Sequence, residues 1–488
     1  MKLLMFVLLL ISTSALYLYI KQKQSINRRN NKHNWFQGKF PKEELIEHYP
    51  LVFVHGLEGD AEDWITNNEM DELVWKKGYL SAYVQLYPKK NMWVNGEELA
   101  NSLKQIYNFF EKELIVIGHS KGGIDAQAAL VHFDSSPYVK SVFMLATPNY
   151  GSELADLAYS KWAQWLANLV GMKNEATYCL QTSYMRYFRH LTDKKEIIKK
   201  NDYFTLIGND RGKMTSKLFW GGLYLSQYGE NDGAVTVKSS QLPYATQVAV
   251  GNWDHYSIKQ GEKVFEELSS YFNDRKPKNI IPNPMIQEKK SVLFRGGMFQ
   301  NQHVETFYID DTTRKFHLNW IGSKESTTLS LISPSGHIFS HFSVSKNEQS
   351  FFTNSFNFFI SINHPETGMW QVKAFQSLQE GFFMHVFFLS DLTFRINKKQ
   401  STFCFNCSIP ISSQFCKLCI DHCSQNQRLS SIIVNQTVSE KNEVPIVNQG
   451  EGMYYIELDI EGQTDKGNPF QRSVFKTYYI DSEGKMYE

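Results

Sequence analysis

The decapeptide Leu114-Ile115-Val116-Ile117-Gly118-His119-Ser120-Lys121-Gly122-Gly123 decides the fold of this 488-residue chain. Its first four residues predict a buried strand, and apolar spacing at 123–133 predicts a helix directly after the turn. Such a Gly-x-Ser-x-Gly turn presents its serine at the carboxyl end of a sheet, because glycines at 118 and 122 avoid collisions with neighbouring backbone. We therefore expect Ser120 to be a nucleophile; the alternative is a Gly/Ser-rich turn without chemistry.

The alternation of strand and helix extends on both sides of this turn. Apolar runs predict further buried strands at 51–54, 142–145, 204–207 and 247–250, and helical spacing predicts helices at 97–110, 123–133 and 258–272. Strands that alternate with helices form a mostly parallel sheet covered on both faces. We expect an α/β fold over 45–273.

A serine hydroxyl needs a neighbouring base and an acid that orients the base. Asp232, in Asn231-Asp232-Gly233, follows the predicted strand at 204–207, and His255 lies in a loop before the last helix. The order serine, acid, histidine suits this kind of fold. The alternatives are an Asp-Gly turn for Asp232 and a polar residue flanking a helix for His255.

The segment His55-Gly56-Leu57 follows the first strong strand. Here the backbone N–H of Leu57 would join that of Lys121 to hold the oxyanion of a tetrahedral intermediate. Main-chain donors are rigid, so little reorganisation is needed as the charge develops. His55 itself is expected to be a structural histidine.

Together these motifs, with Ala146-Thr147-Pro148-Asn149-Tyr150-Gly151-Ser152, resemble the α/β-hydrolase lipases, and most closely the bacterial triacylglycerol lipase type and its eukaryotic relatives. The resemblance covers 49–272. It implies hydrolysis of carboxylic esters by Ser120, Asp232 and His255 through an acyl-enzyme, without a cofactor. Lys121 stands where that family often has glutamine, histidine or methionine, but only its main chain is needed. A calcium site, which bacterial members often carry, is not assigned to any residue here.

A helical pattern after the Ala146–Ser152 motif places Trp162, Trp165 and Leu169 on one apolar face. In the lipase interpretation they form a lid or acyl pocket that contacts an apolar ester or a lipid surface. A helix that simply packs in the core is the alternative.

Three other functions stay open at this point. A phospholipase or an acyltransferase would use the same triad, a peptidase or amidase would share it too, and a non-catalytic binding protein would keep only the scaffold. Nucleic acid is not an expected partner, because 51 Lys and Arg against 50 Asp and Glu leave a net charge of only +1.

The remaining sequence divides into four parts. Residues 1–20 are expected to be a signal peptide, which predicts a secreted or lumenal protein, or else a membrane anchor. A proline-containing linker is predicted at 274–290 and an antiparallel β-sandwich at 291–398. Residues 399–488 are predicted to hold a Cys-rich segment and a C-terminal β module.

Five of the six cysteines lie close together, at positions 404, 407, 416, 419 and 423. In an oxidising compartment they would pair as disulfides, which we favour; four thiolates around zinc are the alternative. No residue is assigned as a metal ligand from the sequence.

Overall fold

The computed structural model describes residues 34–41, 48–169, 172–212, 218–272, 290–346, 354–399, 402–424, 427–437 and 443–488. The predicted signal peptide or anchor and all but the last residue of the predicted linker lie outside these ranges. Within them, no helix combines the length and the apolar character needed to cross a membrane.

The first half of the chain, residues 34–272, is built on a seven-stranded sheet and is called the α/β-region below. Its strands are β1 (Trp35–Gln37), β2 (Leu51–Val54), β3 (Ser81–Val84), β4 (Leu114–His119), β5 (Val139–Leu145), β6 (Asp202–Gly208) and β7 (Thr246–Gly251). The strand order is β1-β3-β2-β4-β5-β6-β7, and only the short edge strand β1 runs antiparallel to its neighbour. The predicted α/β fold class is confirmed.

Helices cover both faces of this sheet and enclose two apolar cores. They are α1 (Met70–Lys76), α2 (Met92–Phe110), α3 (Lys121–His132), α4 (Glu153–Ala158), α5 (Gln164–Leu169), α6 (Glu175–Cys179), α7 (Thr182–Thr192), α8 (Phe219–Leu225), α9 (Val237–Ser240) and α10 (Gly261–Ser269), with 3-10 turns at Ala61–Trp64, Ser136–Tyr138, Glu196–Lys200 and Ser257–Lys259. Helix α2 begins five residues before its predicted start, because the Asn91 side chain accepts hydrogen bonds from the N–H groups of Trp93 and Val94.

The second half, residues 290–488, consists of antiparallel strands and is called the β-region. Its strands are β8 (Lys290–Ile309), β9 (Thr313–Gly322), β10 (Thr328–Ile332), β11 (Ile338–Phe339), β12 (Ser343–Lys346), β13 (Phe356–Asn363), β14 (Gly368–Ser390), β15 (Phe394–Lys399), β16 (Thr402–Cys407), β17 (Ile411–Ser424), β18 (Gln427–Thr437), β19 (Glu443–Pro445), β20 (Gly452–Thr464), β21 (Pro469–Ile480) and β22 (Met486–Tyr487).

Twelve of these strands form one sheet, and β15, β16 and β19 form a small second sheet. The predicted sandwich and the predicted C-terminal module are therefore continuous, since β8 pairs with β21. Strand β14 is irregular between Gln376 and Glu380: residues before this point pair with β10, and residues after it pair with β9. The change of partner lets the sheet enclose its own apolar core.

The cysteines do not follow the expected pairing, because no disulfide joins any of the six. Cys404 and Cys407 lie on β16, whereas Cys416, Cys419 and Cys423 lie on β17. Successive side chains of a strand point to opposite faces, so two cysteines three residues apart cannot meet. In the alternative four-thiolate zinc site, the two thiols of each Cys-x2-Cys pair would likewise point to opposite faces of their strand and could not bind one ion together.

Candidate active site

Ser120 stands on a strained turn between β4 and α3. Its φ is +52°, an uncommon value for a residue with a side chain. A Cβ atom at Gly122 would lie 2.5 Å from the carbonyl oxygen of His55 and 2.7 Å from that of Val54, and one at Gly118 would lie 2.6 Å from the Gly123 nitrogen. Glycine at these two positions therefore lets β4, α3 and β2 approach closely enough to form the turn.

Three buried side chains form a hydrogen-bonded chain that starts at this serine. The Ser120 hydroxyl lies 3.0 Å from Nε2 of His255, and Nδ1 of His255 lies 2.8 Å from Oδ2 of Asp232. All three residues are less than 8% exposed. The structure thus brings together the predicted nucleophile, base and acid, although they lie 135 and 23 residues apart along the chain.

Backbone hydrogen bonds hold Asp232 in place, in addition to its contact with His255. Its Oδ1 accepts the N–H groups of Ala234 and Val235, at 2.9 and 2.7 Å, and its carbonyl oxygen accepts the N–H of His255. The tight turn that allows this is made at Gly233, whose φ is +95°. Because Oδ1 is occupied by the turn, Oδ2 is presented to the imidazole.

Two further histidines support the site, one of them unexpected. His119 donates from Nε2 to the carbonyl oxygen of His255, at 2.7 Å, and so holds the backbone of that loop. His55 donates to the Gly56 carbonyl oxygen and accepts the N–H of Leu86, as a structural histidine would. Burial lowers the pKa of both imidazoles, well below the usual value for His119, so both are neutral supports. The role of His119 was missed, because the serine motif leaves that position unspecified.

The loop after β2 lies directly against the serine. A Cβ atom at Gly56 would be 2.8 Å from the Cβ of Ser120, and the next residue, Leu57, lines the cavity beside the hydroxyl. Lys121 is the first residue of α3, where N–H groups have no partner within the helix. The two predicted oxyanion donors therefore flank Ser120.

The side chain of Lys121 points away from the site into the protein. It is buried, and its Nζ contacts both carboxylate oxygens of Asp125, at 2.7 and 2.8 Å, while Asn95 donates to the same carboxylate. Desolvation raises the pKa of Asp125 against the opposing effect of the lysine. This buried ion pair was not foreseen, since only the main chain of Lys121 entered the prediction.

A cavity of about 610 Å³ opens at Ser120 and His255. One part of its α/β-region wall is apolar and aromatic, formed by Leu154, Leu157, Met172, Leu180, Trp220 and Tyr224. Polar and charged residues line another part, among them Asp63, Asn68 and Lys259. Four residues of the β-region complete the wall, namely Ile321, Asn357, Phe383 and His385. Nothing in the sequence pattern indicated this second contribution, because it depends on how the two regions pack.

Of the three residues predicted for a lid or acyl pocket, Trp162 does not line the cavity, and its part of the prediction needs correction. The helix expected from Leu154 onward is two short helices, α4 and α5, and only α4 borders the cavity. Trp162, between them, is buried against Phe294 and Phe475 of the β-region, whereas Trp165 is 44% exposed. Leu169 ends α5, and its side chain lies outside the described part of the structure.

Comparison with known proteins places the chain in a family. Neither a protein-family model nor a curated protein sequence matches it. Among solved structures, the Bacillus licheniformis lipase BlEst2 in its propeptide form is similar over 94% of this chain and 100% of its own, with 32% identity and a TM-score of 0.84. The mature form of the same lipase matches 50% of this chain and 99% of its own at 46% identity, with a TM-score of 0.48.

The protein belongs to the lipases and esterases of the α/β-hydrolase superfamily, as its sequence motifs indicated. Membership in this family supports ester hydrolysis as the general activity and an ester as the substrate.

Proposed function

We propose that the protein hydrolyses carboxylic esters with an apolar acyl group, through an acyl-enzyme on Ser120. The observation that carries the proposal is the position of His255, which lies within hydrogen-bond distance of both the Ser120 hydroxyl and the Asp232 carboxylate. A nucleophile, a base and an orienting acid in this geometry are what acyl transfer requires.

In the first half-reaction, Oγ of Ser120 attacks the ester carbonyl carbon and its proton passes to Nε2 of His255. The buried Asp232 stabilises the imidazolium, and the N–H groups of Leu57 and Lys121 hold the oxyanion. As the tetrahedral intermediate collapses, the C–O bond breaks and His255 protonates the departing alcohol. Water then attacks the acyl-enzyme with the same base, which releases the acid and restores Ser120.

The lining of the cavity supports an apolar acyl group. Leu154, Leu157 and Met172 supply aliphatic surface, and Trp220 and Tyr224 supply aromatic surface. Each buried methylene contributes about 0.8 kcal/mol to binding, so esters of longer acids gain affinity until the cavity is filled.

Turnover of nitrophenyl esters of graded chain length tests this proposal, with Ser120→Ala beside the unchanged chain. We expect Ser120→Ala to lose activity by about 10⁶-fold. Ser102→Ala is a matched control, because its hydroxyl bonds the Glu98 carbonyl oxygen within α2 and does not line the cavity. Equal rates in Ser120→Ala and the unchanged chain would exclude Ser120 as the nucleophile, and a preference for the shortest esters would exclude a lipase.

We also propose that the intact chain is a precursor in which the β-region limits access to Ser120. Ile321, Asn357, Phe383 and His385 of the β-region form part of the cavity wall. In addition, the relative that matches along nearly the whole chain is a lipase in its propeptide form.

A specific protease site placed within 273–289 tests this second proposal. Activity is measured before cleavage, and again after the two parts have been separated. We expect at least a tenfold rise on long-chain esters after release of the β-region. The control carries an uncleavable insertion of the same length. Unchanged activity would refute the proposal, and a loss would show that the β-region completes the substrate site.

We propose, finally, that residues 1–20 direct the protein into the secretory pathway. Its support is the apolar run from Leu3 to Ile20 alone. Intact-mass measurement of the protein from culture medium tests it: a mass lacking the segment is expected, whereas full-length protein held in membranes would indicate an anchor.

A further inference from the structure

Three side chains with metal-binding atoms converge inside the β-region, away from the active site. Cys419 and Asp421 lie two residues apart on β17, and Glu457 lies directly opposite Cys419 on β20, so all three point to the same face of the sheet. Each offers one sulfur or carboxylate oxygen, and these atoms lie within 4.8 Å of one another. All three residues are buried.

Glu457 supplies an independent sign that this cluster takes a ligand. The residue is 0% exposed, and its Oε1 accepts the backbone N–H of Lys161, whereas Oε2 has no hydrogen-bond partner among the described residues. A buried polar atom left unpaired is costly.

We propose that Cys419, Asp421 and Glu457 bind one zinc ion. A thiolate with two carboxylates suits zinc, whereas calcium and magnesium prefer sites made of oxygen alone. Tetrahedral bonds of about 2.0–2.3 Å place neighbouring ligand atoms about 3.5 Å apart. Sγ of Cys419 and Oδ1 of Asp421 already lie 3.4 Å apart, so only the wider separations in the cluster, which reach at most 4.8 Å, need to contract. A water molecule takes the fourth position.

Binding exchanges protons for the cation. Sγ of Cys419 donates a hydrogen bond to Asp421 in the metal-free arrangement, at 3.4 Å, and also lies 3.6 Å from the hydroxyl of Ser431. Zinc forms bonds to Sγ, to an Asp421 oxygen and to Oε2 of Glu457. The thiol proton passes to solvent, together with any proton that the Glu457 carboxyl group holds. Ser431 is exposed and marks the side from which the ion arrives.

The site would strengthen the contact between the two regions. Lys161 donates its backbone N–H to Glu457, and its Nζ lies 3.1 Å from Asp459 on the same strand. The next residue, Trp162, packs on Phe294 of the β-region. An ion on Glu457 therefore tightens the point at which the β-region holds the segment between α4 and α5. This inference does not depend on the proposed ester hydrolysis.

Glu457→Gln provides the cleanest test, because an amide keeps the size and shape of the carboxyl group but is a poor ligand for zinc. The full chain is treated with a chelator and then melted with and without added zinc at pH 7.5. We expect zinc to raise the melting temperature of the unchanged chain by about 3 °C or more and to leave that of Glu457→Gln unchanged. Without zinc, the two proteins should melt at similar temperatures.

A spectroscopic arm separates this site from the other thiols. Cobalt bound to a thiolate gives a near-ultraviolet charge-transfer band, which Cys419→Ser should abolish. Cys416→Ser is the matched control, since this buried cysteine of the same strand packs into a core on the opposite face and should keep the band. The proposal fails if the unchanged chain gives neither band nor zinc-dependent melting, if Cys419→Ser keeps the band, or if Glu457→Gln is stabilised as strongly as the unchanged chain.

Discussion

At the residue scale, the site depends on hydrogen bonds that set the tautomer and direction of one imidazole. Asp232 receives two backbone N–H groups on one oxygen and His255 on the other. His119 donates a hydrogen bond to the carbonyl oxygen of His255. The proton on Nδ1 is thereby kept on the side of Asp232, which leaves Nε2 free to accept from Ser120.

Asp232→Asn should lower kcat by about 10⁴-fold with little change in KM. An amide at this position can donate to Nδ1 and so favours the wrong tautomer, while the shape of the site is kept. Steady-state kinetics on one soluble ester measure the effect. A loss of less than tenfold would show that another carboxylate orients His255.

Lys121→Met should lower the free energy of unfolding by about 3–5 kcal/mol, because it leaves Asp125 buried without its cation. Urea denaturation of the single variant and of the double variant Lys121→Met/Asp125→Leu measures this. The double variant should recover much of the loss. Equal destabilisation in both would mean that the pair contributes by packing rather than by charge.

Sequence reasoning reached the reacting side chains but not those that support them. Ser120, Asp232 and His255 stand in motifs whose spacing reflects backbone geometry, so they could be predicted. Lys121 and Asp125 have the i,i+4 spacing of an ordinary helix-surface pair, and only tertiary packing buries them. The contact from His119 to the His255 carbonyl oxygen also depends on tertiary packing.

At the element scale, the turn between β4 and α3 is closely packed on several sides. It is the place where β2, β4 and the start of α3 come within contact of one another. A displacement of this turn moves Ser120 relative to His255 and to the oxyanion donors together.

Gly122→Ala should reduce kcat/KM by about 100-fold, because the added methyl group meets the backbone oxygens of Val54 and His55 at the end of β2 and displaces Ser120. Gly297→Ala in β8 is the control: its Cβ would have only one neighbour, at 3.6 Å, and activity should stay unchanged. A fully active Gly122→Ala protein with an unchanged fold would contradict the account of the turn.

The features that the sequence did not predict at this scale depend on contacts with distant parts of the chain. The apolar runs 370–375 and 382–388 are separated by a polar stretch, a pattern that predicts two strands. The chain instead runs through as β14, because the irregularity near Gln376 changes partners without ending the strand. Trp162 was assigned to substrate because an apolar helical face does not reveal what covers it. Here the cover is another part of the same chain.

At the scale of the whole molecule, the contact between the two regions contains ionisable groups. Glu153 and Asp156 on α4 have pKa values raised to about 7 by burial, and that of Glu457 is raised to about 8. Two histidines have pKa values shifted in the opposite direction by desolvation: that of the partly buried His132 is lowered to about 4, and that of the buried His385 to about 3. Below pH 6.5 these carboxyl groups and these imidazoles have opposite effects on the free energy of unfolding as the pH changes.

Between pH 6.5 and 8, the free energy of unfolding should therefore fall as the pH rises. The unfolded carboxyl groups are already ionised in this range, while the folded ones still hold protons, so the folded state binds more protons than the unfolded state. Each fully protonated group contributes a slope of about 1.4 kcal/mol per pH unit. Urea denaturation at several pH values measures the slope, which Glu457→Gln should reduce. A rising free energy would contradict these assignments.

The assignment of Ser120 as the nucleophile can be tested by covalent labelling with a fluorophosphonate. The full chain is labelled before and after release of the β-region. Peptide mapping should find one phosphonyl group per chain, on Ser120, with ester hydrolysis falling in proportion to labelling. Ser120→Ala should take up none. Labelling at another residue, or hydrolysis that continues when Ser120 is fully labelled, would contradict the assignment of Ser120 as the nucleophile.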